Sequence, residues 1–186
     1  MSKHTLAVLV ENSPGVLARV ASLFSRRAYN IDSLAVGPTE NPDISRMTIV
    51  LNFEGHVLDQ VMAQLYKLVN VIAISEMPVE SAVHRELLLV KVEPRHDREA
   101  VLTMVKRFEA KVIDDEDGVL TIEATGESEL ISGLLVALTP YGIKELVQSG
   151  LVALERGSAA LSDRTLSAQG ISTLHEIGNT QTDYQN

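Results

Sequence analysis

The chain contains no cysteine and no tryptophan. The first absence excludes disulfides, thiolate nucleophiles and Cys-ligated zinc or iron–sulfur sites, and it agrees with a reducing compartment. Aromatic residues make up only 4% of the 186 positions while 45% are hydrophobic, so the cores must be built from Val, Leu, Ile, Ala and Met. Positive charge is scarce as well. The 16 Lys and Arg residues face 25 Asp and Glu, a formal net charge of −9. Binding along a nucleic-acid backbone needs clustered cations, and Arg26-Arg27 is the only tight basic pair near a motif. No apolar run reaches the ~20 residues of a membrane-spanning helix. Met1-Ser2-Lys3-His4 leads straight into a strand pattern, with no signal or transit peptide visible. The expectation is a cytoplasmic protein that binds neither nucleic acid nor membrane.

Catalytic signatures are missing too. There is no Gly-x-x-x-x-Gly-Lys phosphate loop, no Gly-x-Gly-x-x-Gly, no His-Glu-x-x-His and no Gly-x-Ser-x-Gly. The five histidines (His4, His56, His84, His96, His175) have no metal-ligand spacing. Asp114-Asp115-Glu116-Asp117 reads as a solvated turn. Glu127 and Glu129 open a helix, where the dipole favours them. His84-Arg85-Glu86 reads as surface polarity at a strand start. No nucleophile, base and orienting group form an active site. A non-catalytic role is expected, with no metal and no catalytic residues on this chain.

What is present is periodic. Alternation predicts strands at His4–Val10, Ile31–Gly37, Ser45–Phe53 and Asn70–Met77; 3.6-residue stripes predict helices at Pro14–Ala28 and Val57–Leu68. The order β-α-β-β-α-β is the ferredoxin-like arrangement. A similar order follows from residue 85: strand Glu86–Val92, helix Asp97–Ala110, strands Lys111–Asp114 and Val119–Ala124, helix Glu127–Leu138, then segments at Ile143–Val147 and Leu151–Leu154. The fold class is α+β, two ferredoxin-like βαββαβ units with antiparallel sheets and helices on one face. The expected domains are 1–78, a linker at 79–84, 85–160, and a polar tail at 161–186 that should be mobile. The sheet face away from the helices keeps apolar residues and calls for a partner, so dimerisation through sheet or edge contacts is expected.

The turn Glu11-Asn12-Ser13-Pro14-Gly15-Val16-Leu17 carries the strongest chemical signal. Ser13 suits an N-cap, Pro14 the first helical position, and Gly15 removes a side chain where free amides begin. A bare helix N-terminus receives anions, a carboxylate among them. Many strand–turn–helix junctions use the same residues and bind nothing.

Longer runs decide between these readings. Glu11-Asn12-Ser13-Pro14-Gly15-Val16-Leu17-Ala18-Arg19-Val20 continues through Leu23-Phe24-Ser25-Arg26-Arg27, Asn30-Ile31-Asp32-Ser33-Leu34 and Val36-Gly37-Pro38-Thr39-Glu40. Ser45-Arg46-Met47-Thr48-Ile49-Val50 and Gln64-Leu65-Tyr66-Lys67-Leu68-Val69-Asn70-Val71 follow. Arg85-Glu86-Leu87, Val90-Lys91-Val92, Gly142-Ile143-Lys144-Glu145-Leu146 and Arg156-Gly157 extend the match. Together they resemble the regulatory (small) subunits of acetolactate synthase, also called acetohydroxyacid synthase, with an N-terminal ACT domain. The likeness covers roughly Lys3 to Leu166; the acidic run Asp114–Asp117 and the polar tail after Ser167 match it loosely or not at all.

The resemblance implies a subunit that makes no acetolactate itself. It implies binding to, and activation of, a large catalytic subunit that uses thiamine diphosphate, Mg2+ and FAD, with no cofactor on this chain. It further implies a homodimer through ACT domains and feedback inhibition by valine or another branched-chain amino acid. The effector residues it implies are Asn12, Pro14, Gly15, Val16, Leu17, Asn30 and Ile31. Main-chain N–H groups from Gly15 onward would take the carboxylate, since Pro14 has none to give. The side-chain oxygens of Asn12 and Asn30 would accept from the ammonium. Val16, Leu17 and Ile31 would offer apolar surface. Asn30 also suits a left-handed residue closing the helix. A stand-alone ACT-domain sensor acting on another enzyme or regulator is the alternative.

Overall fold

The structure, a computed structural model, describes residues 2–53, 57–94 and 97–163. These residues form two compact units, one of 2–83 with 153–163 and one of 84–152. The sequence reading carries the second domain to residue 160, whereas the chain leaves the second unit after Val152. The polar tail lies outside the described residues from position 164 on. Its first residues are helical, with Leu161 buried and the Ala160 N–H donating to Asp163 Oδ2.

In the first unit, β1 (Ser2–Glu11), α1 (Val16–Arg26), β2 (Ser33–Pro38), β3 (Ile44–Phe53), α2 (Val57–Leu65) and β4 (Val71–Glu76) build a four-stranded sheet of order β2-β3-β1-β4. Every pairing is antiparallel. Alternation sends Leu6, Val8 and Val10 of β1 and Met47, Ile49 and Leu51 of β3 to one face. There they meet Val16, Val20, Leu23 and Phe24 of α1 and Val61 and Leu65 of α2. The opposite face differs from expectation. Thr5, Ala7, Leu9, Thr48 and Val50 lie on it and are already buried in the single chain. The open apolar surface on which the sheet-face argument for dimerisation rested is therefore absent. β2 and β4 are the edge strands of this sheet, and Val36 of β2 is 47% exposed.

The second unit repeats the plan. β5 (Ala82–Val92), α3 (Arg98–Arg107), β6 (Lys111–Glu116), β7 (Val119–Gly126), α4 (Ser128–Leu138) and β8 (Ile143–Gln148) give the order β6-β7-β5-β8, and β9 (Val152–Glu155) pairs with β5. β5 alternates without a break from Ala82 to Val92, so His84 and Glu86 turn inward and are buried. Their reading as surface polarity is thereby corrected. Glu86 accepts from Ser128 Oγ and from Gln148 Nε2, each at 2.5 Å. The acidic run closes a two-residue hairpin in which Asp117 and Gly118 both have positive φ, the signature of a type I′ turn.

Small irregularities recur in both units. β1 slips its register with β4 between Leu9 and Val10, and β5 slips with β8 between Lys91 and Val92. α1 ends with Ala28 left-handed, Tyr29 N–H donating to Phe24 O and Ala28 N–H to Ser25 O. α3 ends with Glu109 left-handed, Ala110 N–H donating to Val105 O and Glu109 N–H to Lys106 O. Both are Schellman closures with a side chain where glycine is usual. The left-handed residue after α1 is thus Ala28, and the closing role read for Asn30 is not used.

Candidate functional site

The strand-to-helix turn after β1 starts its helix later than the sequence suggests. α1 begins at Val16, and Gly15 is the N-cap with φ +86. No side chain caps the helix; Ser13 contributes its main-chain oxygen to the Val16 N–H, at a long 3.4 Å. Gly15 is therefore required for its left-handed backbone, beyond its lack of a side chain. A Cβ there would meet nothing within 4 Å. The first intrahelical bond runs from Arg19 N–H to Gly15 O at 3.0 Å. The N–H groups of Leu17 and Ala18 lie in the first turn, where no intrahelical carbonyl can reach them.

Charge sharpens this end of the helix. α2, α3 and α4 carry Asp59, Glu99 and Glu129 in their first turns, and α1 carries no acidic residue there. Its N-terminal partial positive charge is left uncompensated by its own first turn. The matching helix start of the second unit has Asp97 at the N-cap instead of glycine. A carboxylate at that position repels an anion.

Asn12 is fastened to the β2–β3 loop. Its N–H donates to Asp43 O at 2.7 Å and its Nδ2 to Pro42 O at 2.8 Å. Asn30 donates from Nδ2 to Asp32 Oδ1 at 2.6 Å. In both amides the N–H side points to a neighbour, which keeps the oxygen as an acceptor. Pro14 and Gly15 are exposed, and Leu17 is 45% exposed. Val16 differs: its side chain is in the core. Ile31 is half-buried against the same core.

The seven residues do not come together in one chain. Glu11, just before the turn, pairs with Ile44, whereas Ser33, just after Asn30 and Ile31, pairs with Val50. Those rows are six residues apart along β3, about 20 Å of strand. Asn12 to Leu17 sit at one end of the sheet, Asn30 and Ile31 at the other.

One cluster at the turn is invisible in the sequence. Asn70 Nδ2 donates to Glu11 Oε2 at 2.5 Å, and Arg19 Nη1 donates to Asn70 Oδ1 at 3.0 Å. Glu11 N–H also donates to Asn70 O at 2.9 Å. In the second unit Glu93 N–H donates to Gly142 O at the same 2.9 Å, with no side chain to continue the chain of bonds. Only the β1–β4 register reveals the first cluster. Among the described residues, no group of three or more His, Asp or Glu is placed to hold a metal ion. No helix among them is long and apolar enough to cross a membrane.

Two family models match the chain. Residues 6–73 match an AHAS small subunit-like ACT domain, and residues 85–157 match the small subunit of acetolactate synthase. The acetolactate synthase small subunit of Mycolicibacterium smegmatis is 54% identical over 155 residues, 83% of this chain and 91% of that one. The chain belongs to the acetolactate synthase small-subunit family. A probable small subunit from Archaeoglobus fulgidus is 48% identical over 157 residues, 84% of this chain and 98% of that one. The crystal structure of the small subunit from Thermotoga maritima superposes with a TM-score of 0.80 at 33% identity, covering 86% of this chain and all of that one. Membership places the chain in branched-chain amino acid biosynthesis as a small regulatory subunit, and the two ferredoxin-like units are the family's fold.

Proposed function

We propose that this chain binds the thiamine-diphosphate-dependent large subunit of acetolactate synthase in the cytoplasm, raises its activity, and makes it sensitive to valine. The effector site is formed by two copies of the chain. The observation that supports this reading is the separation of the site residues to opposite ends of the sheet. β2 is an edge strand. If it pairs antiparallel with β2 of a second copy, the start of one β2 lies beside the end of the other. The second copy's Asn30 and Ile31 then face this copy's turn.

In that arrangement the Leu17 and Ala18 N–H groups and the helix dipole receive the effector's carboxylate. The oxygens of Asn12 and of the second copy's Asn30 accept from its ammonium. Leu17 and the second copy's Ile31 enclose the branched side chain, while Val16 stays in the core. One methylene is worth about 1–3 kcal/mol in such a pocket, so valine, leucine and isoleucine compete for it. Inhibition requires valine to bind the less active arrangement of the complex better, and couplings of this kind are typically ~1–3 kcal/mol.

The test is acetolactate formation by the large subunit, with and without this chain, across a valine titration. The expected result is a rise in rate on adding the chain and a valine-dependent fall that is absent without it. No rise and no fall would sink the reading. Valine binding with no effect on the large subunit would favour the stand-alone sensor.

A further inference from the structure

A cavity of about 510 Å³ lies in the first unit, on the sheet face away from the helices. Leu9, Met77 and Leu154 give it apolar walls; Arg46, Glu40 and Glu155 give it charge; residues 157–162 form its rim. Arg46 reaches it by strand alternation, since Met47 next to it faces the helices. Its cross-strand neighbours are Leu9 and Gly37. Arg46 Nη2 donates to Ala153 O at 2.9 Å, one of the five N–H groups a guanidinium carries. Burial pulls the Arg46 pKa down, and the Glu40 and Glu155 carboxylates push it back up. The floor is thus a partly desolvated cation flanked by two carboxylates, and an apolar pocket of this size with a few converging polar groups is a common form of small-molecule site.

The charge pattern selects the ligand. A simple anion would meet Glu40 and Glu155, and a simple cation would meet Arg46. A zwitterion satisfies both, and the apolar walls suit a hydrocarbon side chain. We propose that this cavity is a second ligand site, for a free α-amino acid, separate from the turn. The ligand carboxylate takes the remaining Arg46 donors, its ammonium faces Glu40 and Glu155, and its side chain lies on Leu9, Met77 and Leu154. The two sites share the β2–β3 loop. Asn12 holds Pro42 and Asp43 on one side of that loop, and Glu40 lines the cavity on the other.

Calorimetric titration of the full chain with leucine and with valine tests this. Wild type is expected to bind two molecules per chain. Arg46→Met and Glu40→Lys should each leave one, with the affinity of the remaining site changed less than about twofold. Arg46→Lys keeps the charge without the planar fork and should weaken the second site about tenfold or more without abolishing it. Glu40 is on an exposed loop, so its substitution keeps the test valid if Arg46→Met fails to fold. One molecule per chain in wild type, or two retained in both Arg46→Met and Glu40→Lys, would overturn the proposal. Gly15→Asp separates the two readings. If wild type binds two and Gly15→Asp and Arg46→Met each leave one, both sites stand; if wild type binds one molecule that Gly15→Asp abolishes and Arg46→Met retains, the second site falls and the turn stands.

Discussion

Asn70 grips Glu11 twice, once through main chain and once through side chain, and the duplicated unit keeps only the main-chain half, between Glu93 and Gly142. The fold thus closes in the second unit without the side-chain bridge. In the first unit the bridge extends to Arg19 on α1. Its effect is to tie together the strand and the helix on either side of the turn.

Asn70→Gly copies the duplicate and tests that role. The exposed Arg19–Asn70 bond contributes little to stability, and the whole bridge should be worth about 1 kcal/mol. Valine affinity is expected to fall several-fold by calorimetry, with a urea midpoint close to wild type. A large loss of stability with unchanged valine affinity would show that the bridge serves the fold alone.

Gly15→Asp and Gly15→Asn form a matched pair. Both must adopt φ +86, a strain of roughly 1–2 kcal/mol for a residue with a Cβ, and neither Cβ meets a neighbour. Only Asp puts a carboxylate where the proposed site receives the ligand's carboxylate. Valine inhibition of the reconstituted enzyme should be lost in Gly15→Asp and weakened in Gly15→Asn, with activation retained in both. Equal inhibition of the two variants would remove the charge argument.

Ala28→Gly and Glu109→Gly should stabilise the protein. Each native side chain occupies a left-handed position that closes a helix. Relief of that conformation is expected to gain about 0.5–1 kcal/mol per site, read as a higher urea midpoint at unchanged slope. Ala28→Val, with a branched Cβ, should shift the midpoint the other way.

Glu86→Gln should destabilise the second unit. The buried carboxylate receives two donors, the Ser128 hydroxyl and the Gln148 amide, and ties β5 to the first turn of α4 and to the end of β8. A glutamine offers one oxygen, so one donor faces an N–H2 group. The expected cost is about 1–3 kcal/mol in chemical denaturation. A neutral result would mean that water replaces the lost acceptor.

The element order was legible because hydrophobic period and turn chemistry agree along most of the chain. β3, predicted at Ser45–Phe53, runs from Ile44 to Phe53, and α4, predicted from Glu127, runs from Ser128 to Leu138. The misread places share one cause: a pattern that depends on more than local sequence. Ser-Pro-Gly fits a side-chain-capped helix starting at Pro14 equally well, and only the φ of Gly15 distinguishes the two. His84 and Glu86 look polar in isolation, yet the alternation of β5 carries them inward. The bonds of Asn70, and the meeting of Arg46 with Ala153, depend on strand register and on the return of the chain, and no local window contains them. The strand-to-helix turn itself was legible. That Asn30 stands a sheet's length away from it was not, because that follows from strand direction.

A receptor built as proposed, with its halves hung from opposite ends of one sheet, belongs to no single polypeptide. On that proposal the response to the metabolite is expected to fade on dilution, as paired copies come apart. Two crippled versions, one damaged at Gly15 and the other at Asn30, should rescue each other when mixed: the hybrid pair gathers both lesions into one cleft and leaves its twin intact.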